Sequence, residues 1–169
     1  MFKLSESSDK FRIFGTARSE SFFANPSLSS EGDVSPYEFG IRFKPTVTGH
    51  ILALKYWKAP GENIIHVGRV WSDTGTLLAH LTFTQETSGG WQQQYLANPL
   101  PIIANTYYRV SVNCSMGYAY VAQGFGSSIT KGNLFAPISA GVFANGEGNF
   151  PNSVFNNNNY YRDLIFIAS

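Results

Sequence analysis

The sequence predicts an antiparallel β-sandwich, and three observations carry the prediction. Apolar residues alternate with polar ones over stretches of about five to nine residues, the mark of half-buried strands. Turn-forming clusters separate these stretches at short intervals: TVTGH, APGEN, SDTGT, TSGGW and IIANT. No window longer than about 11 residues carries apolar positions at helical spacing, so helix is expected to be scarce. Neighbouring strands joined by short turns exclude a parallel sheet, whose crossovers need about a dozen residues or more.

Taken in order, strands are expected near 11–15, 37–47, 50–58, 64–71, 76–84, 91–97, 106–114, 117–122, 140–144 and 160–168. In HILALKYWK, Leu52, Leu54 and Tyr56 alternate with Ala53, Lys55 and Trp57. In TLLAHLTF, Leu77, Ala79, Leu81 and Phe83 make one face and His80 and Thr82 lie on the other. In TYYRVSVNC, Tyr108, Val110, Val112 and Cys114 alternate with Tyr107, Arg109, Ser111 and Asn113. Nine or ten such strands require two packed sheets. Two segments, 16–36 and 123–139, read as long and irregular. Loops of that length in a compact domain are usually functional or disordered. The apolar pair Leu134 and Phe135 favours packing for the second.

The 169 residues suit one domain with a substantial core, 11–169, preceded by a polar extension, 1–10. Charged residues make up 14 % and the net charge is +1, with Lys and Arg scattered. A nucleic-acid partner would need a clustered basic surface, so none is expected. Aromatic residues reach 15 % beside 16 glycines and 8 prolines, leaving a surface of neutral polar groups like that of many secreted β-proteins. The single cysteine, Cys114, cannot form an intrachain disulfide and reads as a small core residue. MFKLSESSDKFRIFG lacks the apolar stretch of a signal peptide, so the chain reads as intracellular or as a mature fragment. No stretch approaches the roughly 20 apolar residues of a membrane helix, and no membrane insertion is expected.

Several uncommon elements then follow one another: Glu38-Phe39-Gly40, Lys58, His66 with Gly68, Trp71 followed by Ser-x-x-Gly, Trp91, and a terminal FP…NYYRD. In this order, across roughly 12–168, the chain resembles the bacterial domain of unknown function family 4082. The resemblance implies a jelly-roll module of secreted or surface multidomain proteins, often beside carbohydrate-active or adhesion domains. It carries no assigned activity. The chain departs from the pattern in GENIIHVG, where small residues more often precede the histidine, and at Tyr161, where Trp is more common.

The residues themselves supply a candidate site. Sugars present paired hydroxyls and a patch of C–H groups, which suit amides, carboxylates, a cation and an aromatic face. Asn157, Asn158, Asn159, Tyr161, Arg162 and Asp163 offer all of these within seven residues. On a strand, Tyr160 and Arg162 point one way and Tyr161 and Asp163 the other. The structural alternative is a turn, since asparagine tolerates left-handed backbone. Lys58 and His66 flank the APGEN turn, on strands expected to pair as a hairpin, and their side chains would then lie close together. His66 has a structural alternative too, and so do the three tryptophans, of which Trp71 beside SDTG is kept as a platform. Tyr120 is a further ring at the start of a long segment, and Glu38 is an acidic group within the resembling motif.

Enzyme signatures such as G-x-S-x-G, H-E-x-x-H or a phosphate-binding loop are absent. No carboxylate pair is marked out for glycoside hydrolysis. Jelly rolls often hold a structural calcium ion, but no Asp-rich loop indicates one, and no cofactor is expected. The functional expectation is a non-catalytic, lectin-like module that binds a glycan or polysaccharide. Its rivals are a structural or adhesive spacer contacting other domains of a larger polypeptide, and a hydrolase with a cryptic carboxylate pair. Location outside the cell or on its surface follows from the resemblance.

Overall fold

The computed structural model describes residues 18–26 and 30–169. The expected strand at 11–15 and the polar extension lie outside them. Among the described residues there is no helix, and twelve strands run β1 (Ser30–Glu31), β2 (Tyr37–Pro45), β3 (Gly49–Lys58), β4 (Val67–Ser72), β5 (Leu77–Thr82), β6 (Gly90–Ile102), β7 (Tyr108–Cys114), β8 (Ala119–Tyr120), β9 (Ile129–Lys131), β10 (Leu134–Ala136), β11 (Gly141–Asn145) and β12 (Arg162–Ala168). The protein is an all-β antiparallel sandwich. The larger sheet has the order β5-β4-β7-β2-β10-β9, with β11 pairing the other half of β2. The smaller has the order β12-β3-β6, and β1 and β8 make a separate two-stranded ribbon.

Period-two alternation sorts the large sheet into two faces. Register places Phe39 opposite Val112, Ile41 opposite Val110 and Phe43 opposite Tyr108, and Val70 also opposite Val110. All of these belong to buried clusters, most of them to the principal core with Leu54, Tyr56, Leu164 and Phe166 of the smaller sheet. On the opposite face stand Glu38, Arg42, Arg69, Trp71, Arg109, Ser111 and Asn113. That face is buried as well, because the chain after β11 doubles back over it: Ser153 bridges to Phe143, and the Phe150 ring lies 5.6 Å from Trp71 and 4.5 Å from the Arg109 guanidinium. Gly75 takes a positive φ of 96° in the turn after Trp71, and a Cβ there would stand 3.3 Å from the Phe150 ring. The Trp-Ser-x-x-Gly and Phe-Pro elements are therefore two halves of one packing contact.

Two expectations are corrected. Lys58 and His66 do not lie on a hairpin: β3 belongs to the small sheet and β4 to the large one, so residues 59–66 cross between sheets. β3 pairs with β6 and β12, and β4 with β5 and β7, so the short turn between them serves as a corner. The segment 123–139 is not irregular throughout, since it forms the β9–β10 hairpin, with Leu134 fully buried against the edge of β2. Alternation was too short there to register as strand.

Residues 20–24 close the free side of β12. Glu20 and Phe166 exchange both backbone hydrogen bonds at 2.8 Å. The Asp163 carboxylate accepts the N–H groups of Phe22 and Phe23 at 3.0 and 3.1 Å, and the Trp91 indole donates to the Ala24 carbonyl at 2.5 Å.

Candidate functional site

Arg162 pairs with Tyr56 and Asp163 with Lys55, so the tail does lie beside the residues leading to Lys58. The expected alternation also holds. Tyr160 stacks on Phe39 at 4.3 Å, and the Arg162 guanidinium sits 5.4 Å from the same ring. On the other side, Tyr161 meets Phe23 and Trp91 edge-on, and Asp163 reaches the 20–24 segment. The side chains nevertheless point into protein. Lys58, His66, Trp71, Asn158, Asn159, Tyr161, Arg162, Asp163 and Glu38 are all buried, none more than 6 % exposed. They form no open rim.

Their partners explain why. His66 is fully enclosed between two carboxylates, with Nε2 3.1 Å from Glu62 and Nδ1 3.0 Å from Glu86. The Tyr56 hydroxyl lies 2.7 Å from His66 Nδ1 and donates to Glu86. Burial, reinforced by Glu86, raises the Tyr56 phenol so that it keeps its proton. Lys58 Nζ stands 3.6 Å from the same carboxylate. Burial pushes the Glu62 carboxyl up, but the His66 hydrogen bond and the Arg162 charge outweigh it and leave the group below its ordinary value. Such enclosed charges persist only when each has a partner. The network joins the 59–66 corner to β3 and to the chain after β5.

Glu38 forms a second knot on the covered face of the large sheet, 2.9 Å from Arg69, and accepts from the Ser111 hydroxyl at 2.6 Å and the Gly148 N–H at 2.8 Å. Burial is the largest influence on its carboxyl and holds it above the usual value. Trp71 is no platform, because its indole donates to Ser111 at 2.8 Å and Phe150 covers the ring. The asparagine run behaves as a turn: Asn156 and Asn157 take φ of 49°, and the Asn159 amide oxygen accepts the Tyr161 N–H. Asn158 Oδ1 and Arg162 Nε are buried without a hydrogen-bond partner among the described residues. Burial pushes the Cys114 thiol up to about 12, which disfavours the reactive thiolate. Among the described residues no three His, Cys, Asp or Glu side chains gather as a metal-ligand set.

Among the described residues an open feature lies next to the tail and draws on different residues. Tyr37, Phe39, Tyr118, Phe143, Phe155 and Tyr160 line a cavity of about 210 Å³. β2 and β11 supply Tyr37, Phe39 and Phe143 as neighbours, since Phe143 pairs with Phe39 in register. Tyr118 lies 4.2 Å from Phe39 and 5.8 Å from Tyr37. Its position depends on the β1–β8 ribbon: Gly32 N–H donates to the Tyr118 carbonyl, and a Cβ on Gly32 would fall 2.0 Å from the Tyr118 ring. The turn through Asn156 and Asn157 leaves Phe155 at the mouth, 64 % exposed. Tyr120, from the expected set, packs against this cluster 5.8 Å from Tyr118. Burial raises the Tyr118 phenol and pushes that of Tyr160 up to about 12, so both remain hydrogen-bond donors. Asp33 accepts from the Tyr37 hydroxyl at 3.2 Å. The sequence carries no sign of Tyr37, Tyr118, Phe143 and Phe155 as a group, because rings so far apart in the chain converge only through strand pairing and the loops between strands.

The chain matches a family described as Domain of unknown function (DUF4082) over residues 24–162. No curated protein matches it.

Proposed function

We propose that this chain, which belongs to the DUF4082 family, is a non-catalytic, lectin-like module that takes a carbohydrate ring in its aromatic cavity. The observation that carries the reading is the convergence of six aromatic side chains on one opening of about 210 Å³, with Phe39 and Tyr160 buried beneath it and Tyr37, Tyr118, Phe143 and Phe155 reaching its surface. Flat rings pack against the C–H face of a sugar, while tyrosine hydroxyls meet its polar edge. The volume is below the roughly 300–1,000 Å³ of sites for drug-sized ligands, which suits a single ring of a longer chain. Placement outside the cell, as one domain of a larger polypeptide, belongs to the same proposal.

Glycan-array screening, followed by NMR titration of hits, tests it. Binding is expected to shift resonances of the cavity residues, and Tyr118→Ala is expected to weaken it about tenfold, the loss of roughly 1.4 kcal/mol of stacking. Silence across the array overturns the reading. A protein-contact role is favoured instead by one observation, the adjacent exposure of Val154 and Phe155 at 55 % and 64 %. Concentration-dependent light scattering that Phe155→Ser abolishes would support that second reading.

A further inference from the structure

The charge pattern around the cavity narrows the guest. No lysine, arginine or histidine is among its lining residues. Arg162 is 1 % exposed and does not line the opening, although its guanidinium lies 5.4 Å from the Phe39 ring; its Nη1 donates to the Tyr160 carbonyl at 2.8 Å. Among the described residues an acidic group stands beside the cavity, Asp33, an exposed residue in the link from the β1–β8 ribbon to β2. It accepts from the Tyr37 hydroxyl at 3.2 Å and directly follows Gly32, whose backbone packs on the Tyr118 ring, so it lies close to two of the lining rings, and its charge helps burial to raise both phenols. Aromatic faces carry negative potential and attract a cation held over them, and a carboxylate beside them adds to that attraction. An anionic group would be repelled beside Asp33, while the enclosed Arg162 charge acts on Tyr160.

Resting on the carbohydrate reading above, we infer that the guest is an amino sugar whose ammonium group sits among the Tyr37 and Tyr118 rings, facing Asp33. The carbon face of the ring then lies on the remaining aromatic wall. Recognition takes place through charge and ring faces, with no bond made or broken.

Titration of the full chain with glucosamine, glucose and N-acetylglucosamine tests this, because the three share a ring while the nitrogen is charged, absent or capped. Glucosamine is expected to bind about 2- to 30-fold more tightly than either neutral sugar, the range of a cation over aromatic faces. Asp33→Asn, at an exposed position, is expected to remove much of that advantage, read as the ratio of glucosamine to glucose affinity within the same variant. Raising the salt is expected to narrow the advantage in the wild type. Equal affinities, or a preference that survives Asp33→Asn, overturn the inference and leave the carbohydrate reading standing. If none of the three sugars binds at millimolar concentration, the inference fails, and silence across the glycan array then removes the carbohydrate reading as well.

Discussion

Asp163 shows how a residue that looks like a ligand group can be occupied entirely by its own chain. Its carboxylate is fully enclosed, accepts the N–H groups of Phe22, Phe23 and Leu164, and stands 3.5 Å from Lys55. Burial raises its carboxyl above the ordinary 3.8, against the lowering effect of Lys55 and the three N–H donors. A carboxyl that holds its proton more tightly when folded adds stability below the unfolded value, and that contribution is lost as pH rises through the folded value. Asp163→Asn removes this titration. Wild-type stability relative to the variant is therefore expected to be highest below about pH 4 and to fall as the pH rises toward neutrality, as urea melts across that range would show; a pH-independent difference would contradict it. His66 gives a larger effect. His66→Ala leaves Glu62 enclosed without its main partner and is expected to cost about 3–5 kcal/mol by denaturant unfolding. A cost below about 1 kcal/mol would show that the network contributes little. The sides taken by Tyr160 and Arg162 against Tyr161 and Asp163 agree with the alternation expected from the sequence, although β12 begins only at Arg162 and Tyr161 takes a positive φ of 51°. Their burial was not legible there, because polarity reports what a side chain can bind and does not say whether water or protein binds it.

At the scale of elements, the segment 20–24 acts as an added strand against β12. Phe22 enters the principal core at 5 % exposure, in edge contact with Phe43 across the sandwich. Phe22→Ala is expected to cost about 3–5 kcal/mol, the usual loss for a buried phenylalanine, and to speed hydrogen exchange at the Phe166 amide, which Glu20 protects. Unchanged exchange there would show that the segment is not held by its core anchor. The sequence marked 16–36 as an irregular stretch because its apolar pair, Phe22 and Phe23, has no alternating neighbours. Strand character in so short a piece comes from the free edge it covers. The β9–β10 hairpin was missed for a similar reason: three-residue strands lie below the length at which a period of two can be seen. β2, β3 and β7 were found nearly to their ends, because each repeats its pattern over several turns of the pleat, whereas β6 was expected to stop at 97 and runs on to Ile102.

For the whole molecule, non-local pairing is the governing fact. β2 pairs with β7 and β11, and β3 with β6 and β12, so both sheets are closed by strands distant in sequence. Loop-closure entropy precedes such contacts, and refolding is expected to take milliseconds to seconds. Stopped-flow fluorescence of the three tryptophans measures this, and a microsecond phase accounting for the full amplitude would contradict it. The amino-acid order by itself determined the fold class and most strands, since a half-buried strand carries its own periodic signature wherever it ends up. It also held the family's motif residues in recognisable succession. Tertiary structure alone decided which of these groups meet solvent. Crossing between sheets at 59–66 turned Lys58 and His66 inward, and doubling back at 146–153 covered Glu38 and Trp71. Strand register set Tyr37, Phe39 and Phe143 side by side, and the loops carrying Tyr118, Phe155 and Tyr160 completed one opening around them. Exposure is a property of neighbours in space, and in a sandwich those neighbours come from remote stretches of chain.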